Sequence, residues 1–258
     1  MLSYQHAYHA GNLADVHKHA LLASALDYLT HKDKPLSYLE THAGRGLYHL
    51  DSLEARKTGE AAQGIARVAG WFAPDHPYAR ARADIAATHG PAAYPGSPLI
   101  AATLLRAMDS MTLAELHPAE HAALRKAIPR ADTRILQEDG LAMALSRTPP
   151  DPRRGLMLID PSYEVKSDYD RLPALLANIN RKWNVGVLML WYPILTSGVQ
   201  SGMVRSLRKS FPEALSHEVR FPPARPGHGM TGSGFFVVNP PFGLQDEAAR
   251  LSAHFAKL

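Results

Sequence analysis

Gly155-Leu156-Met157-Leu158-Ile159-Asp160-Pro161-Ser162-Tyr163 decides how this chain is read. Five residues without a charge form its most hydrophobic strand, and an acid, a proline and an aromatic residue follow at once. An apolar run of this length fits a strand covered on both faces, in the middle of a parallel sheet. Working outward, Leu36 to Glu40 reads as a second buried strand and runs into Thr41-His42-Ala43-Gly44-Arg45-Gly46. Further strands are expected at Met111 to Leu116, Thr133 to Leu136, Val185 to Leu190 (ending at Trp191-Tyr192-Pro193), Leu215 to Phe221 and Gly234 to Val238. Helical periods lie between them. One starts at Asn12, which can cap it with Asp15 three residues on; others cover Leu99 to Met108, Glu120 to Ala127, Asp168 to Arg181 and the last residues to Leu258.

This alternation predicts an α/β fold, a mostly parallel sheet with helices on both faces. Residues 48–95 break the pattern. They read as short helices rich in Ala, Arg and Glu that close at Tyr94-Pro95-Gly96-Ser97-Pro98, hence as a helical subdomain inserted in a single domain of residues 1–258. In open α/β sheets ligands bind beyond the carboxyl ends of the strands, so the residues after each strand are the ones to question.

Gly44-Arg45-Gly46 allows a tight turn and close backbone approach. It lacks the third glycine of the dinucleotide fingerprint and the Lys of a P-loop, and alone it is equally an ordinary turn. Glu115 ends the next strand, where a carboxylate can receive two ribose hydroxyls; on its own it reads as a solvated surface glutamate. Asp139-Gly140 offers an acid and a backbone amide that can read an adenine edge. Together these come in the order of an adenosine-containing cofactor site.

Asp160-Pro161-Ser162-Tyr163 is similar to the Asp/Asn-Pro-Pro-aromatic signature of amino-group methyltransferases. An exocyclic adenine amine is a poor nucleophile because its lone pair is delocalised. The Asp160 carboxylate on one N–H and the Pro161 carbonyl on the other would aim that amine and stabilise the charge that develops on methyl transfer. Tyr163 would offer a ring on which the extruded base stacks. The plainer reading is a strand ending in an Asp-Pro turn with a core tyrosine. Asn239-Pro240-Pro241-Phe242 matches the signature better by letter, but it follows the last strand, which is antiparallel in methyltransferase sheets, so it is assigned to a structural turn.

Composition narrows the classes. The 258 residues include 28 Lys plus Arg and 24 Asp plus Glu, a net charge of +4, with 46% apolar residues and no cysteine. These are globular values. They exclude a disulfide framework, a thiolate nucleophile and cysteine-ligated zinc or iron–sulfur sites. No apolar run reaches the roughly 18 residues of a membrane span, and the N-terminus lacks a signal-peptide core. The expected address is the cytoplasm. The slight positive charge leans toward anionic partners. Of the 14 histidines, His17 and His19 lie two apart on a helix and point to different faces, which argues against a shared metal. No metal site is expected. His19 shares the face of Leu22 and Leu26, so it is equally a hydrogen-bonded core histidine.

Tyr4, His6, His9-Ala10-Gly11-Asn12, Ala14-Asp15-Val16, Lys18-His19, Thr41-His42-Ala43-Gly44, Tyr94-Pro95-Gly96-Ser97-Pro98, Glu115-Leu116-His117-Pro118 and Trp191-Tyr192-Pro193 together resemble the RlmJ family. Its members are bacterial 23S ribosomal RNA adenine-N6 methyltransferases, long labelled as involved in catabolism of external DNA. The resemblance runs over nearly the whole chain. It implies a class I, Rossmann-like fold with an inserted helical subdomain, S-adenosylmethionine as cofactor and 23S rRNA as partner. It also implies that His19, His42, Gly44, Ser97, Glu115, Asp139 and Gly140 contact the cofactor, that Asp160, Pro161 and Tyr163 are catalytic, and that Tyr4 and Lys18 lie at the substrate side. The chain is expected to act as a monomer. Two positions depart from the family pattern: Glu40 stands where Asp is usual, and Ser162 replaces the second proline. Ser162 keeps alive an alternative from another class, a non-catalytic or DNA-directed nucleic-acid-binding protein used in DNA uptake.

Overall fold

Seven strands pair into one sheet: β1 (Ser37–Glu40), β2 (Ser110–Ala114), β3 (Thr133–Leu136), β4 (Gly155–Ile159), β5 (Val187–Leu195), β6 (Leu215–Arg220) and β7 (Met230–Val238). The computed structural model describes residues 5–128, 130–224, 227 and 229–258. The spatial order is β3-β2-β1-β4-β5-β7-β6. The first five strands run parallel, and β7 lies antiparallel between β5 and β6. This is the Rossmann-like methyltransferase sheet expected from the sequence. The chain reverses its order of progress between the neighbours β1 and β4, which creates the crevice where such folds bind ligands.

Apolar residues on successive positions of β4 explain its central place. Leu156 and Leu158 enter the core on one face of the sheet, and Met157 and Ile159 enter the core on the other. Two-residue alternation turns a continuous apolar run into two buried faces. The helices that cover them are α1 (Leu13–Thr30), α2 (Ser97–Leu104), α3 (Pro118–Ala127), α4 (Gly140–Ser146), α5 (Asp168–Lys182), α6 (Ser201–Ser210) and α7 (Leu244–Phe255). Helix α1 packs against α2, α7, β7 and the helix Pro77–His89, so even its polar residues Asp15, His17, Lys18 and His19 are buried. No helix among the described residues is long and apolar enough to cross a membrane.

Several boundaries differ from expectation. Strand β5 does not stop before Trp191-Tyr192-Pro193 but continues to Leu195. The pairing with β4 ends at Leu190, whereas β7 follows β5 to Leu195. Pro193 therefore lies where the strand has one partner, the setting that tolerates proline in a sheet. The same partnership starts β7 at Met230 rather than Gly234. Residues 48–95 are not free of strand. Leu47–His49 and Ala93–Pro95 pair as a short two-stranded antiparallel ribbon with Tyr48 opposite Tyr94. Helix α2 begins at Ser97, earlier than the period suggested. Asn12 caps α1 by accepting from the Asp15 amide at 2.8 Å. Asp15, however, accepts from the Gly11 amide at 2.9 Å instead of closing the box on Asn12.

Candidate active site

A cavity of about 480 Å³ opens beyond the carboxyl ends of the parallel strands. Its size is that of a small-molecule site. Thr41 to Gly44 after β1, Glu115 to His117 after β2, Asp139 to Leu141 after β3 and Asp160 to Val165 after β4 form its wall, with Trp191, Pro193 and Leu195 from β5. Lys18 and His19 from α1 and Ser97 from α2 complete it. Of the residues singled out in the sequence, Lys18, His19, His42, Gly44, Ser97, Glu115, Asp139, Gly140, Asp160, Pro161 and Tyr163 all line this cavity. Tyr4 lies outside the described residues.

Two glycines shape the floor. Gly44 adopts φ +61°, and a Cβ there would stand 2.5 Å from the Tyr48 hydroxyl oxygen. At Gly140 a Cβ would overlap the Thr41 carbonyl oxygen, so a side chain would push the β1 and β3 loops apart. Glu115 spans the same gap. One carboxylate oxygen accepts from the Gly44 amide and the other from the His117 amide, both at 2.8 Å. Burial raises its pKa against those two hydrogen bonds. Each oxygen keeps a lone pair for a further donor. Asp139 caps α4 by accepting from the Ala142 amide at 2.8 Å. Leu116 and Leu141 add apolar surface to the same end of the cavity.

At the other end the ionisable groups are interlocked. Lys18 Nζ donates to Asp160 Oδ2 at 2.6 Å and lies 3.3 Å from Asp15 Oδ1. Burial pushes the Lys18 pKa down, but Asp160 and Asp15 outweigh it and hold the ammonium charged. Burial opposes ionisation of Asp15 as well, yet His6 and Lys18 keep its carboxyl well below the usual range. His6 Nε2 reaches Asp15 Oδ2 at 2.9 Å. Burial dominates at His19, whose pKa drops to about 3 although Asp15 pulls it upward. It is thus neutral, and its Nδ1 pairs with the Tyr94 hydroxyl at 3.0 Å. Both readings of His19 meet here, since it is a satisfied buried histidine that also lines the cavity. His42 is likewise held neutral by burial, its Nδ1 2.7 Å from Thr41 Oγ1. Ser97 turns its hydroxyl onto Glu40 Oε1, and Tyr38 donates to the other Glu40 oxygen at 2.7 Å. Glu40 is fully buried, which pushes its pKa up to about 8.

Tyr163 adopts φ +57°, a conformation that costs a non-glycine residue energy and persists only when its surroundings impose it. Here its hydroxyl donates to the Trp191 carbonyl at 2.7 Å and its ring stacks on Tyr169 with centroids 4.6 Å apart. Part of the ring is therefore committed to the protein. The rival tetrapeptide lies elsewhere. Asn239 follows β7 and donates to the carbonyls of Asn184 and Gly186 at 3.0 and 2.8 Å, beside the start of β5. Ser162 contributes an acceptor for the Glu164 amide at 3.5 Å.

Sequence reasoning did not single out Trp191, Tyr169, Asp15 or Asp168 as cavity residues. Asp15 carried a sufficient explanation as a helix-start residue. Trp191 had been placed past the end of its strand, and the register that brings it beside Asp160 is a property of the sheet.

Residues 33–258 match the family model described as RsmJ, ribosomal RNA large subunit methyltransferase D, RlmJ. The chain is 39% identical over 254 residues to a ribosomal RNA large subunit methyltransferase J of Escherichia coli K12, covering 96% of this chain and 90% of that protein. It is 37% identical over 270 residues to the protein of the same name from Haemophilus influenzae, covering 100% and 94%. A crystal structure of a Legionella pneumophila protein superposes with a TM-score of 0.86 at 35% identity, covering 96% of this chain and 93% of that one.

Proposed function

Because the chain belongs to the ribosomal RNA large subunit methyltransferase family that includes RlmJ, we propose that it methylates the N6 amine of an adenine in 23S rRNA, with S-adenosylmethionine as donor. The observation that carries this reading is the Asp160 carboxylate. It sits at the end of the central strand, ion-paired, in a cavity whose opposite end holds Glu115 and Asp139.

The donor set fits the cofactor. Glu115 has one free lone pair on each oxygen for the two ribose hydroxyls, Leu116 and Leu141 offer apolar surface to a purine, and Gly44 and Gly140 keep the backbone low beneath it. S-adenosylmethionine, when bound, supplies an electrophilic methyl group on a sulfonium. Asp160 would accept one N6 hydrogen and the Pro161 carbonyl the other, orienting the nitrogen lone pair. As N6 gains its fourth bond its proton becomes acidic, and the Asp160 carboxylate is placed to receive it. Lys18 holds that carboxylate in place with a hydrogen bond of 2.6 Å. The target base must leave its stack to enter the cavity, and the edge of the Tyr163 ring left open by Tyr169 would meet it. His19, His42 and Ser97 would contact the cofactor as neutral groups from the Asp160 side of the cavity. Residues 48–95 are read as a helical subdomain inserted in the methyltransferase domain. The protein would act as a monomer in the cytoplasm.

Incubation of the purified protein with methyl-labelled S-adenosylmethionine and either 23S rRNA or plasmid DNA tests this. Label should enter adenine of the rRNA. Label confined to DNA, or none in either with the cofactor bound, would overturn it.

A further inference from the structure

A polar chain crosses the core behind the active-site wall. Trp191 Nε1 donates to Ser233 Oγ at 2.9 Å, Ser233 Oγ lies 2.8 Å from His17 Nδ1, His17 Nε2 lies 2.9 Å from His217 Nδ1, and His217 Nε2 lies 2.7 Å from Ser252 Oγ. Ser233 and His17 are fully buried, Trp191 and His217 half-buried, and Ser252 exposed. None of these contacts belongs to the acid–ammonium pair or the cofactor end.

The proton count sets the direction of the chain. The indole N–H is a donor only, so Ser233 Oγ accepts it. Among the described residues the hydroxyl proton of Ser233 has His17 Nδ1 as its partner. His17 therefore carries its proton on Nε2 and donates to His217 Nδ1, and His217 donates from Nε2 to Ser252. Each link permits only one tautomer at the next. Protonation of His217 would turn its Nδ1 into a donor facing the Nε2 proton of His17. His17 would then move its proton to Nδ1, and Ser233 would receive two donors with its own proton stranded in the core. Burial keeps His17 neutral and holds His217 below the ordinary histidine range. Glu218 on β6 and Glu247 on α7 pull His217 upward, α1 presents His17, and β7 presents the uncharged Ser233 and Phe235.

The far end of the chain matters because of what Trp191 touches. Its carbonyl holds the Tyr163 hydroxyl, and its ring lies under Lys18 Nζ at 5.5 Å. Lys18 in turn holds Asp160. We propose that His17, Ser233 and His217 are positioning residues for methyl transfer, a tautomer-locked chain that sets the Trp191 indole and, through it, Lys18 and Tyr163. This rests on the methyltransferase reading above.

The chain has three tryptophans, Trp71, Trp183 and Trp191, so ¹⁵N-labelled indole resonances can be followed one by one, with Trp191→Phe for assignment. Ser233→Ala should shift the Trp191 resonance, and so should His217→Ala, although His217 is separated from Trp191 by three links. Lowering the pH should move that resonance in the wild type and leave it in place in His217→Ala. Ser233→Ala should lower the single-turnover methylation rate by about tenfold or more with S-adenosylhomocysteine affinity unchanged, and Ser233→Thr, which keeps the hydroxyl, should restore it. A Trp191 resonance indifferent to Ser233→Ala and His217→Ala, or a wild-type rate in folded Ser233→Ala, overturns the proposal. A wild-type protein whose Trp191 resonance behaves as described but which methylates no rRNA removes instead the functional reading beneath it.

Discussion

Lys18 Nζ lies 2.6 Å from Asp160 Oδ2, so residues 142 positions apart form one partly buried ion pair at the mouth of the central strand. The ammonium fixes the position of the Asp160 carboxylate from α1, and Asp15 holds the ammonium in turn.

Replacing Asp160 with Asn keeps its size and removes the charge. Methyl transfer should fall by about 10²–10³-fold, the scale for losing one preorganised electrostatic contact. S-adenosylhomocysteine affinity, read by calorimetry, should stay near wild type because Glu115 and Asp139, the residues proposed to hold the nucleoside, lie at the other end of the cavity. Transfer at the wild-type rate would remove Asp160 from the chemistry.

Lys18→Met leaves the Asp160 and Asp15 carboxylates facing each other without a cation. Removing the cation from this partly buried cluster leaves its carboxylates uncompensated, so thermal unfolding should move to lower temperature and transfer should fall as well. Lys18→Arg should recover part of the stability. A Lys18→Met protein as stable as wild type would show that the pair has little energetic weight.

Glu115→Ala should weaken S-adenosylhomocysteine binding and leave the backbone amides of Gly44 and His117 without their acceptor. Glu115→Gln, which retains one oxygen, should bind with intermediate affinity. Equal dissociation constants for the three proteins would take Glu115 out of the ribose role.

Gly140→Ala introduces a methyl group where the Thr41 carbonyl already lies. The two loops must separate, with a cost of about 1–3 kcal/mol for overpacking and a loss of cofactor affinity. A denaturant midpoint equal to wild type would show that the loops adjust freely.

Glu40 gives the protein an unusual pH response. Its pKa is raised by burial from 4.5 to about 8. Between those values the unfolded chain releases a proton that the folded chain keeps, so this group makes stability fall as pH rises through that window, by at most about 1.4 kcal/mol per unit. Glu40→Gln should therefore flatten the decline in unfolding free energy between about pH 5 and about pH 8. An identical slope in both proteins would mean that Glu40 is ionised when folded.

Apolar runs at β1 and β4 and the helical periods between strands made the doubly wound sheet legible, because local alternation and burial on both faces are written in residue order. The same logic located the residues after each strand and ranked Asp160 above Asn239, since only a parallel strand opens on the cofactor crevice. Where β5 ends was not legible, because its last residues owe their strand form to a partner more than thirty residues away in sequence. Nor was Tyr163, whose ring pattern suggests an open platform but whose left-handed backbone and hydroxyl are set by Tyr169 and Trp191.

What residue order alone determined is the architecture and the set of side chains delivered to one edge of the sheet, since strand and helix periodicity are local properties. Which of those side chains are charged, neutral or already paired was decided only by tertiary structure. Ionisation depends on burial and on neighbours within a few ångströms, and Lys18, Asp15 and Glu40 acquire both only when α1 packs over the sheet.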